Sequence, residues 1–240
     1  MPGIDEGGNK MRIGIHQPEH LGWLGFYNKL FMSDIFVLLD NVQFEKNYFQ
    51  NRNKIKGSNG AFWLTVPVKD KSSKKLIKDV KIDNHKWKSP YLKSIELAYK
   101  KAPYFNDYFP SFSRLFDKDY ELLAELNKKI IKYFMRHFRL NTQIIEASKL
   151  DVEGNKTKLL LDICKTLNAD TYLSGTSGRD YLDLNLFKKE NIRVIFQDFH
   201  HPMYPQLWKK FVFNLSALDL LFNQGEKSRK YISEKVYKNE

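Results

Sequence analysis

With one cysteine in 240 residues, the chain has no disulfide framework, and a cytoplasmic setting is the expectation. Cys164 lies between Ile163 and Leu167 in a helical pattern, which makes it a core residue and not a nucleophile. No apolar run approaches the roughly 20 residues of a membrane helix. The first ten residues, MPGIDEGGNK, are polar and glycine-rich; they read as a flexible leader and not as a secretory signal. Walker and dinucleotide glycine patterns, the Gly-x-Ser-x-Gly elbow, paired-histidine zinc spacings and internal repeats are all missing. The common nucleotide-binding, serine-hydrolase and zinc-enzyme signatures therefore give no assignment. No metal is expected, and no cofactor is assigned.

Positive charge is plentiful. Forty Lys and Arg against 28 Asp and Glu leave +12, which favours anionic partners such as nucleotides, phosphosugars or RNA. Two hundred and forty residues are enough for a sizeable core, and residues 11–240 are read as one α/β domain.

Ile13 and Ile15 form a short strand that runs into His16-Gln17-Pro18, where proline ends the ladder. Leu24, Tyr27, Leu30 and Phe31 recur at helical spacing, and Ile35 to Leu39 is a second strand ending at Asp40. Glu45 to Gly60 is expected to be a long polar loop, a candidate lid carrying Tyr48, Phe49 and Arg52. Ala61 to Val68 reads as a β-prone stretch in which Pro67 marks a strand end or an edge, with Asp79 to Asp83 expected as a half-exposed strand beside it. A helical insertion follows at about 89–139, in which Leu123, Leu126, Ile130 and Phe134 form one apolar stripe. Strands are then expected at Thr142 to Ala147, Thr171 to Leu173 and Arg193 to Asp198, and helices at Thr157 to Leu167, Leu184 to Lys189 and Ser216 to Asn223. This alternation predicts a Rossmann-like, mostly parallel sheet with helices on both faces.

In such a sheet, ligands bind beyond the carboxyl ends of strands. The residues there are His16, Gln17, Asp40, Asn41 and Gln43, then Ser174-Gly175-Thr176-Ser177-Gly178-Arg179. Two glycines, three hydroxyls and a bidentate cation point to phosphate or to a plain glycine-rich turn. His200 and His201 also follow a strand, and one of them facing the cleft would serve as an acid or base. His85 and His137 read as surface or structural residues.

Taken in order, HQPEHLGWLGFYNK, LLDNVQFEKNYFQNRNKI, FWLTVPV, YLSGTSGRDYLD, YPQ and NLSALDLLFNQG resemble the WbqC-like family of bacterial proteins. The resemblance covers Met11 to Gly225 and implies a role in surface-polysaccharide (O-antigen) biosynthesis. It also implies transfer of an acyl or aminoacyl group, glycyl included, to the amine of a nucleotide-linked amino sugar, with aminoacyl-tRNA among the candidate donors. The family pattern maps onto His16, Gln17, Pro18, Trp23, Gly25, Asp40, Val42, Gln43 and Phe44, and onto Asn51, Arg52 and Asn53. It continues through Ser174, Gly175, Gly178, Tyr181, Tyr204, Gln206 and Asp219.

The expected catalytic set is His16, His200, His201 and Asp40. Gln17, Gln43, Asn51, Arg52, Ser174, Gly175, Ser177, Gly178, Arg179, Tyr181, Tyr204 and Gln206 are expected to bind substrate. Two other readings remain open. His20-Leu21-Gly22 is similar to half of the His-x-Gly-His element of nucleotidyltransferases, which would activate a carboxylate by adenylation. The basic, aromatic composition would also suit a non-enzymatic tRNA or nucleic-acid binder.

Overall fold

The computed structural model describes residues 10–69, 75–83, 86–233 and 237–238. The expected leader up to residue 9, and His85, lie outside them. Strand β1 (Arg12–His16) leads through helix α1 (Leu24–Phe31) to β2 (Ile35–Leu38). After β2 come a hairpin of β3 (Arg52–Gly57) and β4 (Gly60–Thr65) and the helices α2 (Lys88–Tyr99), α3 (Phe105–Ser113) and α4 (Leu123–His137). The chain returns as β5 (Gln143–Glu146), α5 (Lys156–Thr166), β6 (Thr171–Ser174), α6 (Leu184–Lys189) and β7 (Arg193–Gln197). It closes with α7 (Ala217–Gln224), α8 (Ser228–Ile232) and β8 (Tyr237–Lys238).

The main sheet has the order β5-β2-β1-β6-β7-β8, parallel except for the antiparallel β7–β8 pair. Strand order therefore reverses between β1 and β6, and a crevice opens there beyond their carboxyl ends. Side chains alternate across the sheet. Phe36 and Leu38 meet α1 and α4 through Phe26, Leu30 and Phe134. Ile13, Ile15, Val37 and Tyr172 meet α5 and α6 through Leu160, Ile163, Cys164 and Phe187 on the other face. The expected stripe on α4 is wholly buried, and each such side chain contributes roughly 1.5–3 kcal/mol of burial.

The expected loop over Glu45 to Gly60 is overturned in its second half, because Arg52–Gly57 pairs residue for residue with Gly60–Thr65. Polar residues are buried on both of its faces, so no apolar alternation marks it. Asn53 is buried by donating to the carbonyls of His20 and Leu21, and Lys56 is buried with its Nζ on Gln206 Oε1 at 3.0 Å. The strand expected at Asp79 to Asp83 reduces to single antiparallel bridges, Val68 with Ile82 and Lys81 with Leu122, after a 3-10 turn at Ile77–Asp79.

Candidate functional site

At the β1/β6 reversal lies a cavity of about 550 Å3. From the β1 side it is lined by His16, Gln17, Glu19 and Trp23, and from α1 by Gly25, Phe26 and Lys29. The β6 side supplies Gly175, Thr176, Ser177 and Tyr181, and the segment before β3 supplies Tyr48, Phe49 and Gln50. Gly25 is required by this wall: a Cβ there would lie 2.3 Å from the Trp23 ring.

The turn after β1 is held by polar contacts that keep its functional groups in place. Gln50 donates to Gln17 Oε1 at 2.7 Å, and Gln50 Oε1 accepts from the Glu45 amide. Asn127 of α4 donates to the carbonyls of Pro18 and Gln50 and bonds His20 Nδ1 through its oxygen at 2.9 Å. Tyr91 of α2 occupies the other His20 nitrogen at 2.7 Å. His20 is therefore a fully buried brace with both ring nitrogens engaged inside the insertion.

Three titratable side chains share the cavity wall. Glu19 and Lys29 are nearly inaccessible, at 5% and 2% exposure. Lys29 Nζ donates to the Ile15 carbonyl at 2.6 Å. His16 Nε2 stands 3.7 Å from Glu19 Oε1, while its Nδ1 is 3.0 Å from the Gln17 carbonyl oxygen. A carbonyl only accepts, so Nδ1 carries the proton and the lone pair sits on Nε2, toward Glu19. Burial disfavours every charged form here. It lowers His16 to about 4, aided by the Lys29 charge. It pushes Glu19 up to about 8, against a backbone hydrogen bond from Trp23 and the charge of Lys29. It draws Lys29 down to about 7, against the charge of Glu19. Near neutral pH the site thus holds a neutral imidazole with an open lone pair, a carboxyl held largely protonated and an amine close to its titration point. Glu19 Oε2 is buried with no hydrogen-bond partner.

Of the residues expected to act on or bind substrate, His16, Gln17, Gly175, Ser177 and Tyr181 meet in this cavity, together with Trp23 and Gly25 of the family pattern, Thr176 of the loop after β6 and Tyr48 and Phe49 of the expected lid. The other expected catalytic and substrate-binding residues are not among its lining residues. Asp40 accepts from the amide and hydroxyl of Ser148, which ties the end of β2 to the turn after β5. Gln43 is exposed and bridges Leu76. Asn51 donates to the Val66 carbonyl, and Arg52 lies over the Trp63 ring at 4.1 Å. Ser174 is buried with its hydroxyl on the Gly175 carbonyl, and Gly178 packs against that hydroxyl. Arg179 lies over the Phe196 ring at 4.3 Å.

His200 is exposed, 3.6 Å from Asp198, and His201 bonds the Pro202 carbonyl among Tyr204, Phe211 and Phe213. Tyr204 donates to Asp219 at 2.9 Å, and Gln206 accepts from Lys56. Burial raises Asp219 to about 6 even so. Among the described residues, no group of three or more His, Cys, Asp or Glu side chains is placed to hold a metal ion, and no helix is long and apolar enough to cross a membrane.

Glu19 and Lys29 are site residues that sequence reasoning missed. A signal for Lys29 was present: it is a charge inside a helix whose residues from Leu24 to Leu30 are otherwise apolar or small save Asn28, and lysine is seldom buried without a task.

The family model described as the WbqC-like protein family matches residues 17–231. Uncharacterized protein Rv1507c of Mycobacterium tuberculosis is 29% identical over 224 residues, which cover 92% of this chain and 97% of that protein. No solved structure matches the chain significantly.

Proposed function

The chain belongs to the WbqC-like protein family, and from that premise we propose that it transfers an acyl or aminoacyl group to the amine of a nucleotide-linked amino sugar destined for surface polysaccharide. The observation that carries the reading is the cluster of His16, Glu19 and Lys29 in the cavity at the β1/β6 reversal. Amide formation from an amino sugar releases two protons if the amine arrives charged: one to free its lone pair, one as nitrogen acquires the acyl group. The ionised fraction of Glu19, which grows as pH approaches its raised value of about 8, matches the first task, since that value approaches that of an amine. Its unpartnered Oε2 suits an N–H donor. His16 Nε2 is the second acceptor. As the new N–C bond forms, the bond from the acyl carbon to the donor's leaving atom breaks and takes its electron pair with it. Lys29, fixed by the Ile15 carbonyl and drawn down to about 7, favours the carboxylate form of Glu19 to the extent that it is protonated. The adenylylation alternative draws no support from His20, whose nitrogens are both occupied.

The test is a transfer assay with nucleotide-linked 4-amino sugars and acyl or aminoacyl donors, aminoacyl-tRNA included. His16→Asn and Glu19→Gln are expected to lower turnover by about 10²- to 10⁴-fold with the fold intact. Unchanged turnover in both variants would remove this cluster from the chemistry.

A further inference from the structure

The face of the β3–β4 hairpin that bears Arg52 and Lys54 carries a second arrangement beside the cavity. Arg52 and Lys54, two apart on β3, project to the same side, and Trp63 is the cross-strand partner of Lys54. The Arg52 guanidinium lies 4.1 Å and the Lys54 ammonium 5.0 Å from the Trp63 ring centre. The indole remains 39% exposed. Phe49 stands 6.0 Å from Trp63 and 5.0 Å from Tyr48, so the aromatic surface continues from the hairpin into the cavity wall that Tyr48 and Phe49 form. Tyr48 is 46% exposed. Large rings left in water on rigid backbone are costly unless they meet a partner. Rings interleaved with cations are the combination that stacks a heterocyclic base and pairs with phosphate.

We infer that this hairpin is the nucleotide-recognition element: a nucleobase stacks on Tyr48 and Phe49, and its diphosphate pairs with Arg52 and Lys54, held against Trp63. The inference rests on the proposed use of a nucleotide-linked substrate and assigns its nucleotide half to these residues, leaving the sugar amine for Glu19 and His16. Arg52 suits the role because the indole fixes the plane of its fork in advance. Its Nε is buried without a partner.

Calorimetric titration of the full chain with ADP, GDP, CDP, UDP and inorganic diphosphate tests it. At least one nucleoside diphosphate is expected to bind more tightly than inorganic diphosphate. Tyr48→Leu should weaken that nucleotide about fivefold or more while leaving inorganic diphosphate unchanged, since base stacking alone is removed. Arg52→Ala should weaken both ligands, and Tyr48→Phe should restore nucleotide affinity. Equal nucleotide affinity in wild type, Tyr48→Leu and Arg52→Ala, or no nucleotide binding at all, would overturn the assignment. Nucleotide binding of this pattern in a protein that transfers no acyl group leaves the hairpin assigned and sinks the proposed reaction. Transfer that is indifferent to Tyr48 and Arg52 does the reverse.

Discussion

In the folded chain Glu19 keeps its proton up to about pH 8, whereas an unburied glutamate releases it near 4.5. Between those values the native state binds a proton that the unfolded state has lost, so the contribution of Glu19 to stability falls as pH rises from 4.5 to 8 and is level outside that window. Glu19→Gln cannot ionise and escapes this loss. Its melting temperature relative to the parent should therefore climb steadily across the same window, measured by paired melts at half-unit steps of pH. A pH-independent difference would show that Glu19 is ionised in the native state throughout. His16 acts with the opposite sign: held down to about 4, it withdraws stability as pH falls below about 6.5. The two slopes oppose each other between 4.5 and 6.5, which is why the paired comparison, and not the parent's profile, carries the information.

Among the elements, the short turn after β6 leaves little room for a side chain. Residues Thr176–Asp180 coil as a 3-10 turn, and a Cβ on Gly178 would stand 2.0 Å from Ser174 Oγ and 3.0 Å from Leu182. Gly178→Ala must push the turn off β6 and should cost about 1–3 kcal/mol, read by chemical denaturation. A neutral result would mean that Ser174 changes rotamer freely. The parallel strands were legible in the sequence because Ile13, Ile15, Val37 and Ile195 are buried at positions where apolar periodicity has a physical cause. Strand β3 was not, since Asn53 and Lys56 reach the interior by finding hydrogen-bond partners, and that leaves no trace in hydropathy. Nor did any apolar period announce α8, which is pinned to α1 by Asn28 donating to the Ile232 carbonyl.

For the molecule as a whole, strand order was enough to bring His16 and Gln17 to the same cavity as Gly175, Ser177 and Tyr181 across more than 150 positions. Side-chain direction was not predictable in the same way. Arg179 occupies the expected loop, yet its guanidinium lies over Phe196 of β7, a choice made by the local coil of the turn. The same two-faced packing encloses Cys164, whose thiol burial pushes up to about 12. A thiol reagent should modify it only through opening of the α5 face, with a rate that follows unfolding as denaturant is added. Modification of the native protein at the rate of a free thiol would mean that this face opens locally.

The side-chain amide of Asn127 joins three stretches that the chain keeps far apart: the cavity-lining turn at Pro18 and His20, the approach to the hairpin at Gln50, and its own insertion helix. A chain growing from its amino end completes β1, α1 and β2 long before that amide exists. The turn bearing Glu19 therefore gains these three bonds only once α4 has docked, so the appended helices help to finish the crevice, and excising them would remove the bonds that Asn127 makes to Pro18, His20 and Gln50.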